Sequence, residues 1–243
     1  MSDKSVLLTS NNESTRILTL NRPNKLNAMS HALVRELIEG IDDAHSDETI
    51  TSIIINAEGR AFSAGADIKE AATRHGDSAE EARLHFNNSR AIYELGSRTD
   101  KPIIAAVHGY VLGGGCNLAI SADMVVAGEN AVFGYPEVKR GLAATMVTPG
   151  LVHRIGPKAA FELLTLAEDI SATRALELGL INRIVPDDKI LDEAILMAKT
   201  LAGFNQRAIR TTKRVFLKST EMPFAQSLDA AGEAMLQMRE IGK

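Results

Sequence analysis

Two glycine-containing segments are the first candidates for chemistry in this 243-residue chain, namely Gly113-Gly114-Gly115-Cys116-Asn117 and Ala64-Gly65-Ala66-Asp67. Glycine lets the main chain approach a ligand without a Cβ atom, and the first N–H groups of a helix have no partner within it. Both segments are predicted to follow a strand and precede a helix. We therefore expect each to present backbone N–H groups to negative charge, and two such donors can form an oxyanion hole.

Each loop taken alone has a plainer interpretation, because glycine at a strand-to-helix junction often serves only tight packing. The glycine run does not match a dinucleotide or nucleotide motif. The third glycine of a Rossmann turn would fall at Leu118, and no Lys-Ser or Lys-Thr pair of a P-loop follows. Cys116 has no assigned base, and we interpret it as a small buried residue rather than a nucleophile.

The third candidate is the carboxylate that ends the segment Phe133-Gly134-Tyr135-Pro136-Glu137. Burial in this aromatic turn would raise the pKa of Glu137, and such a carboxyl can accept and return a proton near neutral pH. A solvated turn glutamate is the alternative. The six histidines follow no metal-ligand spacing, so no metal site is predicted.

The elements that must position these groups alternate between strands and helices, which is typical of an α/β protein with parallel strands. An N-terminal hairpin is predicted with its turn at residues 10–14, and Ser30 is the predicted N-cap of the first helix. Strands are predicted at residues 6–9, 15–20, 52–55, 103–107, 124–127, 131–133 and 181–185. Helices are predicted after Ser30, up to about residue 96, from the glycine run, and at 157–166, 171–178, 187–202 and 205–218.

The composition predicts a globular protein that acts on small molecules. Apolar residues make up 45% of the chain, the formal net charge is only -4, and the basic residues are scattered. This pattern argues against a nucleic-acid groove or an anionic membrane surface as partner. The single cysteine, with no signal peptide, transit peptide or membrane-spanning run, predicts a cytoplasmic location.

In order and spacing, several segments resemble the crotonase, or enoyl-CoA hydratase/isomerase, family. These are Asn21-Arg22-Pro23 with Asn27-Ala28, residues 61–70, residues 101–107, residues 112–116, residues 133–137, and Ser171-Ala172 with Gly179-Leu180. The resemblance implies a crotonase-type spiral of repeated ββα units over residues 1–190. It implies a C-terminal helical trimerisation region over residues 191–243, and hence a homotrimer or a dimer of trimers.

The resemblance also implies an acyl-CoA substrate, with coenzyme A present only as part of that substrate and no tightly bound cofactor. By similarity, the N–H groups of Ala66 and Gly114 would hold the thioester oxygen as it becomes an enolate. Glu137 matches the second glutamate of relatives that use two, and would transfer protons.

The implied CoA contacts lie on the N-terminal half of the chain. By similarity, Ala64, Ala66 and Ile68 would lie along the adenine, and Lys25 and Lys69 would contact the nucleotide phosphates. A lone lysine in the first turn of a helix, such as Lys69, is alternatively an ordinary solvated side chain.

Three departures from the family pattern keep the reaction open. Asn117 stands where two-glutamate hydratases carry the first glutamate, and an amide orients water or a carbonyl but exchanges no proton. Residues 138–147 replace a glycine-rich segment, and relatives carry further residues, including a basic one near the CoA phosphate, beyond a helix like 224–241. The latter departure predicts weaker CoA binding or a substitute basic residue.

Several reactions suit a single carboxylate. Double-bond isomerisation needs one group that removes and returns a proton, and hydration by Glu137 alone stays possible. Thioester hydrolysis or decarboxylation, CoA-ester binding without turnover, and an RNA-associated scaffold are the further alternatives. The mild net charge and the lack of basic stripes argue against RNA.

Overall fold

A computed structural model describes the backbone of residues 5–72 and 78–240. Three segments lie outside the described residues, namely residues 1–4, 73–77 and 241–243. Residues 73–77 belong to the predicted polar helical segment, and the other two are at the ends of the predicted N-terminal and C-terminal regions. The strands are β1 (Leu7–Asn12), β2 (Thr15–Leu20), β3 (Ser52–Ala57), β4 (Ala61–Ser63), β5 (Ile103–Val107), β6 (Tyr110–Leu112), β7 (Met124–Gly128), β8 (Val132–Gly134), β9 (Ile170–Ser171) and β10 (Arg183–Val185). The helices are α1 (His31–Ser46), α2 (Ile68–Ala72), α3 (Ala79–Tyr93), α4 (Leu95–Arg98), α5 (Gly114–Ser121), α6 (Thr148–Ile155), α7 (Pro157–Leu166), α8 (Ala172–Glu177), α9 (Ile190–Ala202), α10 (Gln206–Glu221) and α11 (Phe224–Glu240).

The N-terminal hairpin is confirmed, but its predicted five-residue turn is wrong. The β1–β2 ladder runs from Leu7 opposite Leu20 to Asn12 opposite Thr15, so only Glu13 and Ser14 connect the strands. Glu13 has φ of 50°. A two-residue hairpin loop needs this backbone conformation, and the strands therefore extend further than the polar residues suggested.

The larger sheet has six strands in the order β1-β2-β3-β5-β7-β10, and every pair except β1–β2 is parallel. Its central strands β3 and β5 are apolar and buried, as expected when both faces of a parallel sheet are covered. Helix α1 covers one face, and the Ser30 hydroxyl caps it by accepting a hydrogen bond from Leu33 N, which confirms that prediction.

Helix α9 covers the other face of this sheet. Ala194 and Met197 pack with Ile54, Ile104 and Val126 in one buried cluster. The first helix of the predicted C-terminal region is therefore part of the sheet's core, while the division at residue 190 stays a prediction.

The smaller sheet has four strands in the order β4-β6-β8-β9, with β4, β6 and β8 parallel. Strand β6 was not predicted. The glycine run was expected to follow β5 directly, whereas in the structure it follows β6. Gly109, with φ of 54°, carries the chain from one sheet to the other, and a Cβ there would lie 2.1 Å from Arg60 O. Three residues are too few for a period-2 pattern to be recognised.

The C-terminal part is helical as predicted, with ends shifted by a few residues, whereas helix α6 before Gly156 was not predicted. Helix α10 is fixed to the sheets by the buried Lys213, whose Nζ lies 2.7 Å from Asp123 Oδ2 and 2.7 Å from Lys101 O. Within residues 5–72 and 78–240, no helix combines the length and hydropathy needed to cross a bilayer.

Candidate active site

Three loops meet at one edge of the smaller sheet because β4, β6 and β8 are parallel neighbours and each loop follows the end of one strand. They enclose a cleft of about 50 Å³. Five of the predicted site residues line it, namely Ala64, Ala66, Ile68, Gly114 and Glu137. Its other lining residues are Gly65, Gly113, Pro136, Arg140 and Leu142.

The loop after β4 presents the Ala66 N–H to this cleft. Ala66 forms a parallel bridge with Met29, made by Met29 N donating to Gly65 O at 2.8 Å and Asp67 N donating to Met29 O at 3.2 Å. These bonds use the groups on either side of Ala66. Its own N–H donates to no atom of the described residues and is available to a ligand.

The loop after β6 presents the Gly114 N–H beside it. Gly114 is the first residue of α5, where an N–H has no partner within the helix, and no side chain caps this end. A Cβ on Gly65 would lie 3.3 Å from Gly114 N, so the two loops are in direct contact. Both predicted oxyanion donors are therefore brought together at helix starts.

Asn27 fixes β4 and the segment that leads into it. Its buried side chain donates to Glu58 O and Ala61 O, each at 2.8 Å, and accepts from Arg22 N at 2.7 Å. Its backbone oxygen accepts from Ser63 Oγ at 2.9 Å. The resemblance included Asn27, but its φ of 51° and its role as a buried polar anchor emerge only in the fold.

An ion pair closes the loop after β4 from the side. Arg22 donates to Asp67 Oδ2 at 2.9 Å and also to Ala28 O. Burial would raise the pKa of Asp67, but the hydrogen bonds from Arg22 and from Glu70 N hold that pKa below its ordinary value. The carboxylate thus stays charged, and the Ala66 N–H is held in place by polar contacts rather than by apolar packing.

Glu137 faces the glycine turn. A Cβ on Gly113 would lie 2.6 Å from Glu137 Oε1, and Gly113 itself has φ of 52°. Glu137 is half-buried, and its Oε2 is buried with no hydrogen-bond partner in the described part of the chain. Burial raises the pKa of Glu137, while its own backbone N–H and the charge of Arg140 oppose the shift. The partial burial and the raised pKa agree with the prediction from sequence.

Asn117 lies behind the cleft on α5 and is not among the residues that line it. Its side chain is 2% exposed, and its Oδ1 accepts a hydrogen bond from the buried Tyr135 hydroxyl at 3.0 Å. A Cβ on Gly150 of α6 would lie 3.0 Å from Asn117 Nδ2. The amide therefore points its nitrogen toward α6.

Cys116 is buried, as predicted. Burial raises the pKa of its thiol to about 12, with the charge of Glu137 adding to that effect and a hydrogen bond with Tyr135 opposing it. The thiol is neutral at physiological pH. Across the described ranges, no three His, Cys, Asp or Glu side chains cluster as metal ligands.

The predicted nucleotide-binding lysines lie outside the cleft. Lys25 ends a 3-10 turn on the loop that packs against the loop after β4, and Lys69 lies in the first turn of α2. Both side chains are exposed, and neither forms an ion pair with a described residue. Ile68, which lines the cleft and precedes Lys69 in the chain, is 45% exposed and leaves an apolar surface there.

The sequence did not identify three residues around the cleft. Met29 Cε and Tyr93 Oη lie 2.6 and 2.9 Å from the position of a Cβ on Gly114, and Arg140 lines the cleft three residues after Glu137. A basic residue one turn after a candidate acid was a usable signal for Arg140. Tyr93 is separated from Gly114 in the chain by α4, β5 and β6, and no local sequence pattern indicates that the two residues meet.

A model of the family described as "Enoyl-CoA hydratase/isomerase" matches residues 10–240. The chain belongs to this family. It is 37% identical over 213 residues to the "Probable enoyl-CoA hydratase, mitochondrial" of Dictyostelium discoideum, covering 87% of this chain and 75% of that relative. It is 34% identical over 228 residues to the "2,3-dehydroadipyl-CoA hydratase" of Escherichia coli K12, covering 92% and 86% of the two chains.

The fold comparison agrees with this family assignment. A crystal structure of an enoyl-CoA hydratase from Mycobacterium smegmatis superposes with a TM-score of 0.90 at 32% identity, over 96% of this chain and 90% of that one. The crotonase fold predicted from the sequence is thereby confirmed, with its two sheets and its C-terminal helices. The chain is therefore an acyl-CoA enzyme that resembles the enoyl-CoA hydratases.

Proposed function

We propose that this crotonase-family protein hydrates a 2-enoyl-CoA, using Glu137 as its acid and base. The observation that carries the proposal is the meeting of two free backbone donors, Ala66 N–H and Gly114 N–H, with a half-buried carboxylate in one cleft. The names of the relatives support hydration, since they are hydratases of enoyl-CoA and 2,3-dehydroadipyl-CoA.

In the proposed reaction, the Glu137 carboxylate takes a proton from water as the hydroxyl oxygen adds to C3 of the enoyl group. The C2–C3 π electrons move toward the thioester, whose oxygen becomes an enolate held by Ala66 and Gly114. Donors preorganised at such an oxyanion each contribute about 2.7–4 kcal/mol. Glu137 then returns its proton to C2, so one water is added and the carboxylate is regenerated.

Isomerisation of a 3-enoyl-CoA is the second candidate, and Asn117 favours it. Since the amide exchanges no proton, the site has one proton-transfer group where a two-glutamate hydratase has two. Glu137 would remove a proton from C2, the same two amides would hold the dienolate, and the proton would be returned at C4. The alternatives of hydrolysis, decarboxylation or binding without turnover have no feature of the cleft in their favour.

The CoA moiety would extend from the cleft along the exposed loop after β4. We assign its adenine to the surface of Ala64, Ala66 and Ile68, and its phosphates to Lys25 and Lys69, whose ammonium groups are exposed. Coenzyme A enters with the substrate, and the proposal includes no resident cofactor.

We also propose assembly as a trimer or a dimer of trimers. The described C-terminal helices expose large apolar side chains, including Phe224 at 80% and Leu228 at 56%. Exposed apolar surface of this kind is typical of subunit contacts. Native mass spectrometry would give a mass of three or six 26.2 kDa chains, and a monomer would refute this part.

Absorbance at the conjugated enoyl-thioester band distinguishes the reactions. With crotonyl-CoA, loss of the band means hydration, and with a 3-enoyl-CoA, its appearance means isomerisation. No change with either substrate over a range of chain lengths would refute both candidates.

Asn117→Glu tests the missing acid, and Asn117→Gln is its matched control because it has the same length without the acid. General acid–base groups contribute about 10²–10⁴-fold. We expect Asn117→Glu to hydrate crotonyl-CoA at least about 10-fold faster than Asn117→Gln. Equal rates would mean that the missing carboxylate does not limit hydration.

A further inference from the structure

Tyr93, the last residue of α3, brings a hydroxyl to the proposed oxyanion site from a distant part of the chain. Its Oη lies 2.9 Å from the position of a Cβ on Gly114, and Ala66 N lies 3.7 Å from that same point. The Tyr93 hydroxyl and the Ala66 amide therefore face one small space in front of Gly114. The third of the three atoms nearest to this Cβ position is Met29 Cε, at 2.6 Å, which is the end of a flexible side chain.

The hydroxyl is free to donate a hydrogen bond. Tyr93 is half-buried, and its Oη bonds to no atom of residues 5–72 or 78–240. Burial, followed by the charge of Glu137, raises the pKa of Tyr93 to about 12. The phenol thus keeps its proton throughout the physiological range and does not compete with Glu137 in proton transfer.

The other tyrosines of the chain are placed differently. Tyr135 is buried and uses its hydroxyl on Asn117, and Tyr110 on β6 is 44% exposed. Tyr93 is therefore the tyrosine whose hydroxyl faces the two oxyanion amides without a partner in the described structure.

Tyr93 also lines a larger cavity. This cavity has a volume of about 460 Å³ and is lined by Tyr93, Gly150, Phe216 and Leu217 among others. Gly150 is the same residue that faces the Asn117 amide. Tyr93 thus borders both this cavity and the space in front of Gly114, so an acyl group that entered the cavity from that space would pass its hydroxyl.

We propose that Tyr93 donates a third hydrogen bond to the thioester oxygen of the acyl-CoA, beside those of Ala66 and Gly114. The proposal rests on the proposed function, because it takes the ligand to be a CoA thioester. A neutral donor gains more from an enolate oxygen than from a carbonyl oxygen. Tyr93 should therefore act mainly on kcat and much less on KM.

Tyr93→Phe removes the hydroxyl and keeps the ring, and Tyr110→Phe is the matched control on the exposed tyrosine. We expect Tyr93→Phe to lower kcat about 100-fold, the effect of one oxyanion donor, with KM within about 3-fold of the parent. Tyr110→Phe should keep the parent's constants. A kcat of Tyr93→Phe within about twofold of the parent would overturn the proposal, since a lost donor costs far more.

A binding measurement separates this role from packing and needs no turnover. Acetoacetyl-CoA forms an enolate with its own absorbance, and coenzyme A alone has no acyl oxygen. We expect Tyr93→Phe to lose enolate binding while it binds coenzyme A like the parent. Equal losses for both ligands would mean a structural role and would overturn the proposal.

The parent protein provides the check on the proposed function. If it binds the acetoacetyl-CoA enolate through Tyr93 but converts no enoyl-CoA, the proposed reaction fails and the donor role stands. If the parent binds no CoA thioester at all, both proposals are rejected.

Discussion

Alanine substitutions at Gly113, Gly114 and Gly115 test the site most sharply, because these neighbours should fail in different ways. A Cβ on Gly114 would meet Met29 Cε at 2.6 Å and Tyr93 Oη at 2.9 Å, both at the ends of side chains, and would stand 3.7 Å from Ala66 N. The fold can accommodate this methyl, but it fills the space proposed for the thioester oxygen.

The expected magnitude for Gly114→Ala follows from the donors it obstructs. Losing one oxyanion donor costs about 10²–10³ in kcat, and the methyl stands before the amides of both Ala66 and Gly114. We expect kcat/KM to fall at least about 100-fold, with the free energy of unfolding within about 1 kcal/mol of the parent.

Gly115→Ala should show the reverse pattern. Its Cβ would lie 2.6 Å from both Ser63 O and Ser63 Cβ, in a buried contact at the end of β4. Such overpacking costs about 1–3 kcal/mol of stability, while activity per folded molecule should fall less than in Gly114→Ala, because the new Cβ does not enter the space in front of Gly114. Gly113→Ala should lose both, because φ of 52° strains an alanine and the new Cβ would lie 2.6 Å from Glu137 Oε1.

The assays are urea unfolding followed by circular dichroism, and initial rates on whichever enoyl-CoA the parent converts. Rates are compared at equal folded fraction. If fully folded Gly114→Ala keeps more than about a tenth of the parent's kcat/KM, the space in front of Gly114 is not the oxyanion site. An inactive but stable Gly115→Ala would equally contradict the geometry.

Three further predictions concern burial and charge. Because burial raises the pKa of Glu137 above 4.5 in the folded state, ionising it costs stability as pH rises through that pKa. Glu137→Gln should therefore be more stable than the parent in urea at pH 8 but not at pH 4, and a difference in stability that is the same at the two pH values would contradict the raised pKa. The same variant should still bind CoA, with its activity lowered about 10²–10⁴-fold. Asn27→Ala should lower the free energy of unfolding in urea by about 2–4 kcal/mol, because its buried hydrogen-bond partners are left unpaired. Asn24→Ala, at an exposed position, is the control and should change little. Equal losses in the two variants would refute the anchor role of Asn27. Lys213→Met should cost about 3–5 kcal/mol because it leaves the Asp123 carboxylate without its partner, and a calorimetric loss below about 1 kcal/mol would mean that α10 does not depend on this pair.

The sequence predicted what local chemistry determines. Ser30 was readable as a cap because a hydroxyl just before an apolar period of 3.6 satisfies helix N–H groups. The glycine loops were readable because a helix start leaves N–H groups unpaired. Burial of Glu137 followed from its aromatic neighbours. Each of these inferences uses residues within about one helical turn of each other.

The features that were missed depend on contacts between distant segments. Strand β6 is three residues long and is defined by its pairing with β4 and β8. Asn27 reaches its left-handed backbone and its buried bonds only when the loop packs against residues 58–63. Tyr93 meets Gly114 through the packing of α3 against α5, which no single segment encodes.

The surroundings of Asn117 bear on whether the amide is a structural necessity. The Tyr135 hydroxyl donates to Asn117 Oδ1, and the same hydroxyl could donate equally to a carboxylate oxygen at this position. Such a bond would favour the charged form of an acid there. The bond from the Tyr135 hydroxyl therefore does not by itself require an amide at position 117. Since Tyr135 lies two residues before Glu137, one side chain also fixes the relation between the amide and the carboxylate. In the proposed function, asparagine at this position therefore acts on the reaction by leaving Glu137 as the proton-transfer group, while the proposed oxyanion site in front of Gly114 is the same for hydration and for isomerisation.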